Sequence, residues 1–215
     1  MSDERTALWL QTRSARIPLE RSGRRAWSPP SASDFDRLRQ QLDGAELPPE
    51  YREFVSTYGG ALFGDEDYAV KAPLAEPSPW GKFARPEIVY PLLRNHPYSL
   101  EDQLQTYRDR VPRGVLPISN DPGGNQICLD VRGEFPGSVW FWDHEQRWFT
   151  RDLQAAAGEL ERAGHITRQM STHAIVRAWA RDHPERCDRP SDYMGMYRVA
   201  DTFEGFLDSL QLHAE

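Results

Sequence analysis

Residues 115–145, VLPISNDPGGNQICLDVRGEFPGSVWFWDHE, constrain this chain more than any other stretch, because hydrophobic period and turn chemistry agree along their whole length. The first five form a short apolar run. Asn120, Asp121, Pro122, Gly123, Gly124 and Asn125 follow, all residues that fix a turn or tolerate a left-handed backbone. Residues 126–131 then alternate, with Ile127, Leu129 and Val131 on one face and Gln126, Cys128 and Asp130 on the other, which is the period of a half-buried strand. A second reversal over residues 132–137 leads into another alternating run, where Val139, Phe141 and Asp143 oppose Trp140, Trp142 and His144. Strands joined by such short reversals must be antiparallel, so the segment reads as a three-stranded meander.

Helices flank it. Ser33 or Asp34 opens one that carries Phe35, Leu38 and Leu42 and ends at Gly44. Leu47, Pro48, Pro49 and Glu50 open a second, since proline is tolerated in a first turn whose N–H groups lack helical partners. Tyr51, Phe54, Val55 and Tyr58 then fall at i, i+3, i+4 and i+7, an apolar stripe for which the meander is the natural acceptor, and Gly59-Gly60 stops the helix. Ser99, Glu101 and Asp102 begin a third, and Thr202 caps a last one bearing Phe203, Phe206, Leu207 and Leu210, just after a strand at 197–200. Four prolines within residues 71–86 argue for a surface loop, with Trp80 as its anchor, after a short strand at 68–70. Pro91 confines the strand-like residues 87–93 to an edge or a bulge. Two helices with small apolar stripes are expected between the meander and the last strand, over about residues 150–193.

The first 30 residues differ in charge, with six arginines against Asp3, Glu4 and Glu20. They read as a basic arm in which Leu8, Trp9, Thr12 and Ala15 suggest a short helix, ahead of one domain over residues 31–215. The whole chain carries a formal net charge of -7, which argues against a nucleic-acid-binding surface, because such a surface needs a basic footprint. Cys128 and Cys187 are too few for a disulfide framework and lack the spacing of a zinc or redox motif. No apolar run approaches the ~20 residues that span a bilayer, and the N-terminus lacks the apolar core of a signal peptide, so the cytoplasm is the expected compartment. His144-Glu145 falls short of a zinc-protease helix, because Trp148 stands where the second histidine would be. Asp143, His144 and Glu145 form the best acid–base group, yet no nucleophile, oxyanion site or cofactor motif accompanies them. No catalytic residue, metal or cofactor is expected.

The order LPPEYREFVSTYGG, VLPISNDPGGNQICLDV, GSVWFWDHE and ADTFEGFLDSL resembles the SUKH superfamily, which includes the domain of the yeast cell-wall assembly regulator. The resemblance covers residues 33–149 and again 197–212; the basic arm and the helical segment at 150–193 lie outside it. It implies an α+β fold, a central antiparallel sheet with helices packed against it, plus a helical insertion before the C-terminal helix. For bacterial members it implies a non-enzymatic immunity protein that neutralises a polymorphic or contact-delivered toxin, often one that acts on nucleic acid. The alternative it allows is a regulatory or scaffold module. An acidic surface suits a partner with a basic cleft. The residues expected to meet that partner lie on the wet face and loops of the sheet: Asp65, Glu66, Asp67, Trp80, Asp121, Asn125, Trp142, Asp143 and Glu145. No nucleic-acid or membrane partner is expected, and the chain itself should be a monomer or weak dimer.

Overall fold

The computed structural model describes residues 8–13, 16–20, 29–64, 68–108, 110–145, 160, 162, 164, 193 and 195–214. Its fold is α+β. The larger sheet consists, in spatial order, of β1 (Leu8–Gln11), β2 (Arg16–Glu20), β3 (Ala61–Phe63), β6 (Ile88–Val89), β7 (Val115–Asn120), β8 (Gln126–Asp130), β9 (Val139–Trp142) and β10 (Met196–Ala200). Each neighbouring pair runs antiparallel. A smaller sheet holds β11 (Gln211–Ala214), β4 (Tyr68–Ser78) and β5 (Gly81–Ala84), with β4 in the middle. The helices among the described residues are α1 (Ala32–Gln41), α2 (Pro49–Tyr58), α3 (Leu100–Tyr107) and α4 (Phe203–Ser209).

The meander divides two apolar layers. Ile127, Leu129, Val139 and Phe141 face the main core, where α2 and α4 meet through Tyr51, Phe54, Phe203 and Phe206. The Phe203 ring stands edge-on to Tyr51 at 5.0 Å and to Phe54 at 5.4 Å, an arrangement that aromatic quadrupoles favour. Cys128, Trp140, Trp142 and Met196 face the opposite way into a second cluster with Val111, Val115 and Tyr193, and Tyr107 of α3 closes it. The half-buried strand expected at 126–131 is therefore buried on both sides, with Gln126, Cys128 and Asp130 each 1% exposed or less. Burial of its polar positions is tolerated only because partners are supplied for them, as described below.

At the start of α1, Ser31 is the N-cap and forms a reciprocal box with Asp34: each side chain meets the other's backbone N–H. Hydrogen bonds from Ser31, and then from Arg37, bring the Asp34 carboxyl down to about 2. A carboxylate whose folded pKa is depressed stabilises above its unfolded value of about 4 and loses that contribution as pH falls towards 2. We expect Asp34→Asn to cost about 1 kcal/mol at pH 6, a figure discounted for solvent screening, and almost nothing at pH 2. Urea unfolding at the two pH values measures this; a cost that does not shrink at low pH would refute it.

Three local expectations are corrected. The short helix expected around Leu8, Trp9 and Thr12 is instead the β1–β2 hairpin, which extends the sheet past β3. Leu10 and Thr12, and again Ile17 and Leu19, are buried at period two, and that pattern outweighs the helical spacing. The proline-rich stretch is no loop, because β4 runs through Pro73 and Pro77. Its partner β11 covers only Tyr68–Lys71 and its partner β5 pairs only from Ala72 onward, so both prolines sit where one side of the strand has no ladder partner. Trp80, at the tip of that hairpin, is 64% exposed and anchors nothing. The helical insertion expected at about 150–193 lies almost wholly outside the described residues. No helix among the described residues is long and apolar enough to cross a membrane.

Candidate protein-binding surface

One end of the meander carries a hydrogen-bonded polar cluster in reach of solvent. The β7–β8 reversal is closed by Asp121, whose Oδ1 accepts the Asn125 N–H at 2.8 Å and whose Oδ2 accepts the Asn125 side-chain amide at 3.0 Å. Backbone bonds from Asp121 N–H to Asn125 O and from Gly124 N–H to Asp121 O complete the turn. Gly124 has φ +85°, a left-handed backbone that favours glycine, and a Cβ there would meet the His144 ring in ordinary contact at 3.6 Å.

Asn125 passes the order on to the end of β9. Its Oδ1 accepts the His144 backbone N–H at 3.1 Å and lies 2.8 Å from His144 Nδ1. With an amide oxygen as acceptor, Nδ1 carries the proton and Nε2 points away, 4.0 Å from Glu145 Oε1. Asp143 Oδ1 accepts the Glu145 N–H at 3.0 Å, and the Asp143 N–H donates to Gly195 O.

Beneath this lies a polar pillar that the residue pattern did not single out. Gln126 accepts from Tyr90 Oη at 2.7 Å and donates to Tyr107 Oη at 3.1 Å and to Asn125 O at 2.9 Å. Burial pushes both phenols above their ordinary range, so each remains a neutral hydroxyl. The Tyr107 ring stands edge-on to Trp142 at 5.5 Å. The signal in the sequence was the glutamine at the start of a strand with an apolar centre, since a buried amide must find partners.

The structure thus brings Asp121, Asn125, Trp142, Asp143 and Glu145 to one end of the sheet, but in different layers. Trp142 is 1% exposed and packs inward against Tyr107 of α3, and Asp143, the next residue, is fully buried, so the expectation that they line a wet face is corrected. Asp121 and Asn125 are buried as well, Asp121 spending its carboxylate inside the turn and Asn125 dividing its amide between the turn and His144. Glu145 is exposed and His144 half-exposed, beside the exposed backbone of Gly123 and Gly124. Trp80 is also exposed but belongs to the smaller sheet. Asp65, Glu66 and Asp67 lie outside the described residues. Among the described residues no three of His, Cys, Asp and Glu come together as metal ligands.

This arrangement, an antiparallel meander capped by α2 and α4 with a rigid Asp–Asn turn at one end, agrees with the comparisons to known proteins. The chain belongs to the SMI1 / KNR4 family (SUKH-1), whose family model matches residues 29–155. It is similar to the SPbeta prophage-derived uncharacterized protein YokK of Bacillus subtilis (strain 168), at 34% identity over 144 residues, covering 61% of this chain and 73% of that protein. No solved structure matches it. The family's members bind protein partners.

Proposed function

We propose that the protein is a cytoplasmic, non-enzymatic immunity protein, which neutralises a cognate delivered toxin by occupying it stoichiometrically. The observation that carries this reading is the Asp121–Asn125–His144 lock. It fixes a turn and a strand end through internal hydrogen bonds, so the backbone that carries Gly123, Gly124, His144 and Glu145 is ordered before a partner arrives. A net charge of -7 favours a partner with a basic cleft, such as a toxin that acts on nucleic acid, and would speed the encounter. Asp65, Glu66 and Asp67 are assigned to the partner contact on their charge alone. The prophage origin of the YokK relative fits a role in conflict between cells or mobile elements.

The direct test is to express the product of the neighbouring reading frame alone and together with this protein: the product alone should arrest growth, and co-expression should rescue it and yield a one-to-one complex by gel filtration. Toxicity that persists in the presence of folded protein overturns the reading. Within that complex, Glu145→Lys should slow association by about tenfold at low salt, with the difference shrinking as ionic strength rises, because a rim charge acts mainly on the encounter. Stopped-flow association rates at two salt concentrations measure it, and equal rates for variant and wild type would exclude Glu145 from the contact.

A further inference from the structure

The smaller sheet carries a surface of the opposite character. At antiparallel positions directly across from each other, side chains share a face, so Val70, Ala72, Leu74 and Ala84 turn inward and are buried. The outward set is Ala69, Lys71 and Pro73 on β4, Phe83 on β5, and Gln211 and His213 on β11, with Arg85 exposed just past β5. Lys82 is exposed on β5 as well, and Glu76, exposed near the hairpin tip, is the one carboxylate of β4 and β5, in a chain whose net charge is -7. Lys71 Nζ lies 4.6 Å over the Phe83 ring, which is itself 43% exposed.

The tip of the hairpin is held in place. Ser78 is buried; its Oγ accepts the Trp80 N–H at 3.2 Å and donates to Gly81 O at 3.2 Å. Pro79 fixes the first corner and Gly81, at φ +136°, the last, so Trp80 is presented on a preformed turn. β5 is the outer strand of its sheet, which leaves one row of its backbone groups without a ladder partner among the described residues.

We propose that this face is a second protein-binding surface, which takes an extended acidic segment of a partner as an added strand along β5, with Trp80 and Phe83 as apolar anchors. An open strand edge supplies backbone pairing, and Lys71 and Arg85 supply the sign of charge that selects the segment. A second copy of this chain aligned β5 to β5 would bring the two basic faces together, so self-pairing is disfavoured. Single-stranded nucleic acid also stacks on aromatics beside cations, but the net charge of the whole molecule opposes it. The proposal is independent of the toxin-binding end of the meander.

The test uses the full chain with a fluorescent octapeptide of alternating valine and glutamate, and separately with an oligothymidylate of similar length, both at low salt. Saturable peptide binding is expected, together with slower hydrogen exchange across residues 81–84. Trp80→Ala and Lys71→Glu should each weaken it by about tenfold while keeping the unfolding midpoint of the parent, and Glu145→Lys should leave it unchanged. No saturable peptide binding, binding indifferent to both substitutions, or binding of the oligothymidylate in place of the peptide would each overturn the proposal.

Discussion

Asp130→Ala should destabilise the protein by about 3–5 kcal/mol, because it takes the acceptor from three donors and each buried donor left unsatisfied costs about 1–3 kcal/mol. Asp130 is fully buried at the end of β8. Its Oδ1 accepts the Gly133 N–H, and its Oδ2 accepts the Phe135 N–H at 2.8 Å and the Tyr193 phenol. Tyr193 in turn accepts the Glu134 N–H at 2.9 Å. Burial, and then the bond to Asp130, hold its phenol protonated well above the ordinary range, so it serves as a donor at any physiological pH. The alanine variant would strand three donors in an apolar pocket beside Phe135, Trp140 and Tyr193. Asp130→Asn keeps one acceptor and should cost less. Gly133 belongs to the same clasp: a Cβ there would sit 2.4 Å from Tyr193 Oη and 2.8 Å from both Asp130 oxygens, so Gly133→Ala should approach the cost of losing the aspartate. Urea unfolding measures all three; a loss below about 1 kcal/mol for Asp130→Ala would mean that water replaces the lost acceptor and the clasp is not tight.

Trp142→Ala should cost about 3–5 kcal/mol, the magnitude of a large aromatic truncated in a core that cannot collapse around the void. Trp142 is 1% exposed, lies opposite Gln126 on β8 and Met196 on β10, and takes the edge of Tyr107. Its loss would loosen the two strands that flank β9 and the helix above them. The two roles open to this residue separate cleanly, since an interface tryptophan would cost affinity and leave the unfolding midpoint nearly unchanged. We expect the reverse, a lower midpoint in urea and, in the fraction that remains folded, unaltered partner affinity.

The meander was legible because its pattern is local: alternating apolar positions and a turn built from Asp121, Pro122, Gly123 and Gly124 require no knowledge of the rest of the chain. The same holds for α2, whose apolar stripe and closing Gly59 lie within a dozen residues. Which residues of the candidate site reach a partner was not legible. Trp142 and Glu145 are three positions apart, both suited to an interface by chemistry, and only the presence of α3 over β9 puts one inside and leaves the other in solvent. The N-terminal hairpin was missed for a related reason. Two short strands are unstable alone, and β1 and β2 become strands because β3 offers them an edge.

Residue order by itself determined the antiparallel meander, its turns, the helices that bracket it and the acidic balance of the whole chain, because each follows from neighbours in sequence and from charge. Tertiary structure alone decided that both faces of the meander are covered, that β4 passes through its prolines, and that Trp80 stands in solvent while Trp142 does not. Burial depends on which distant segment arrives to cover a surface, and a polar group such as Asp130 or Gln126 is tolerated inside only where that segment brings its hydrogen-bond partners with it.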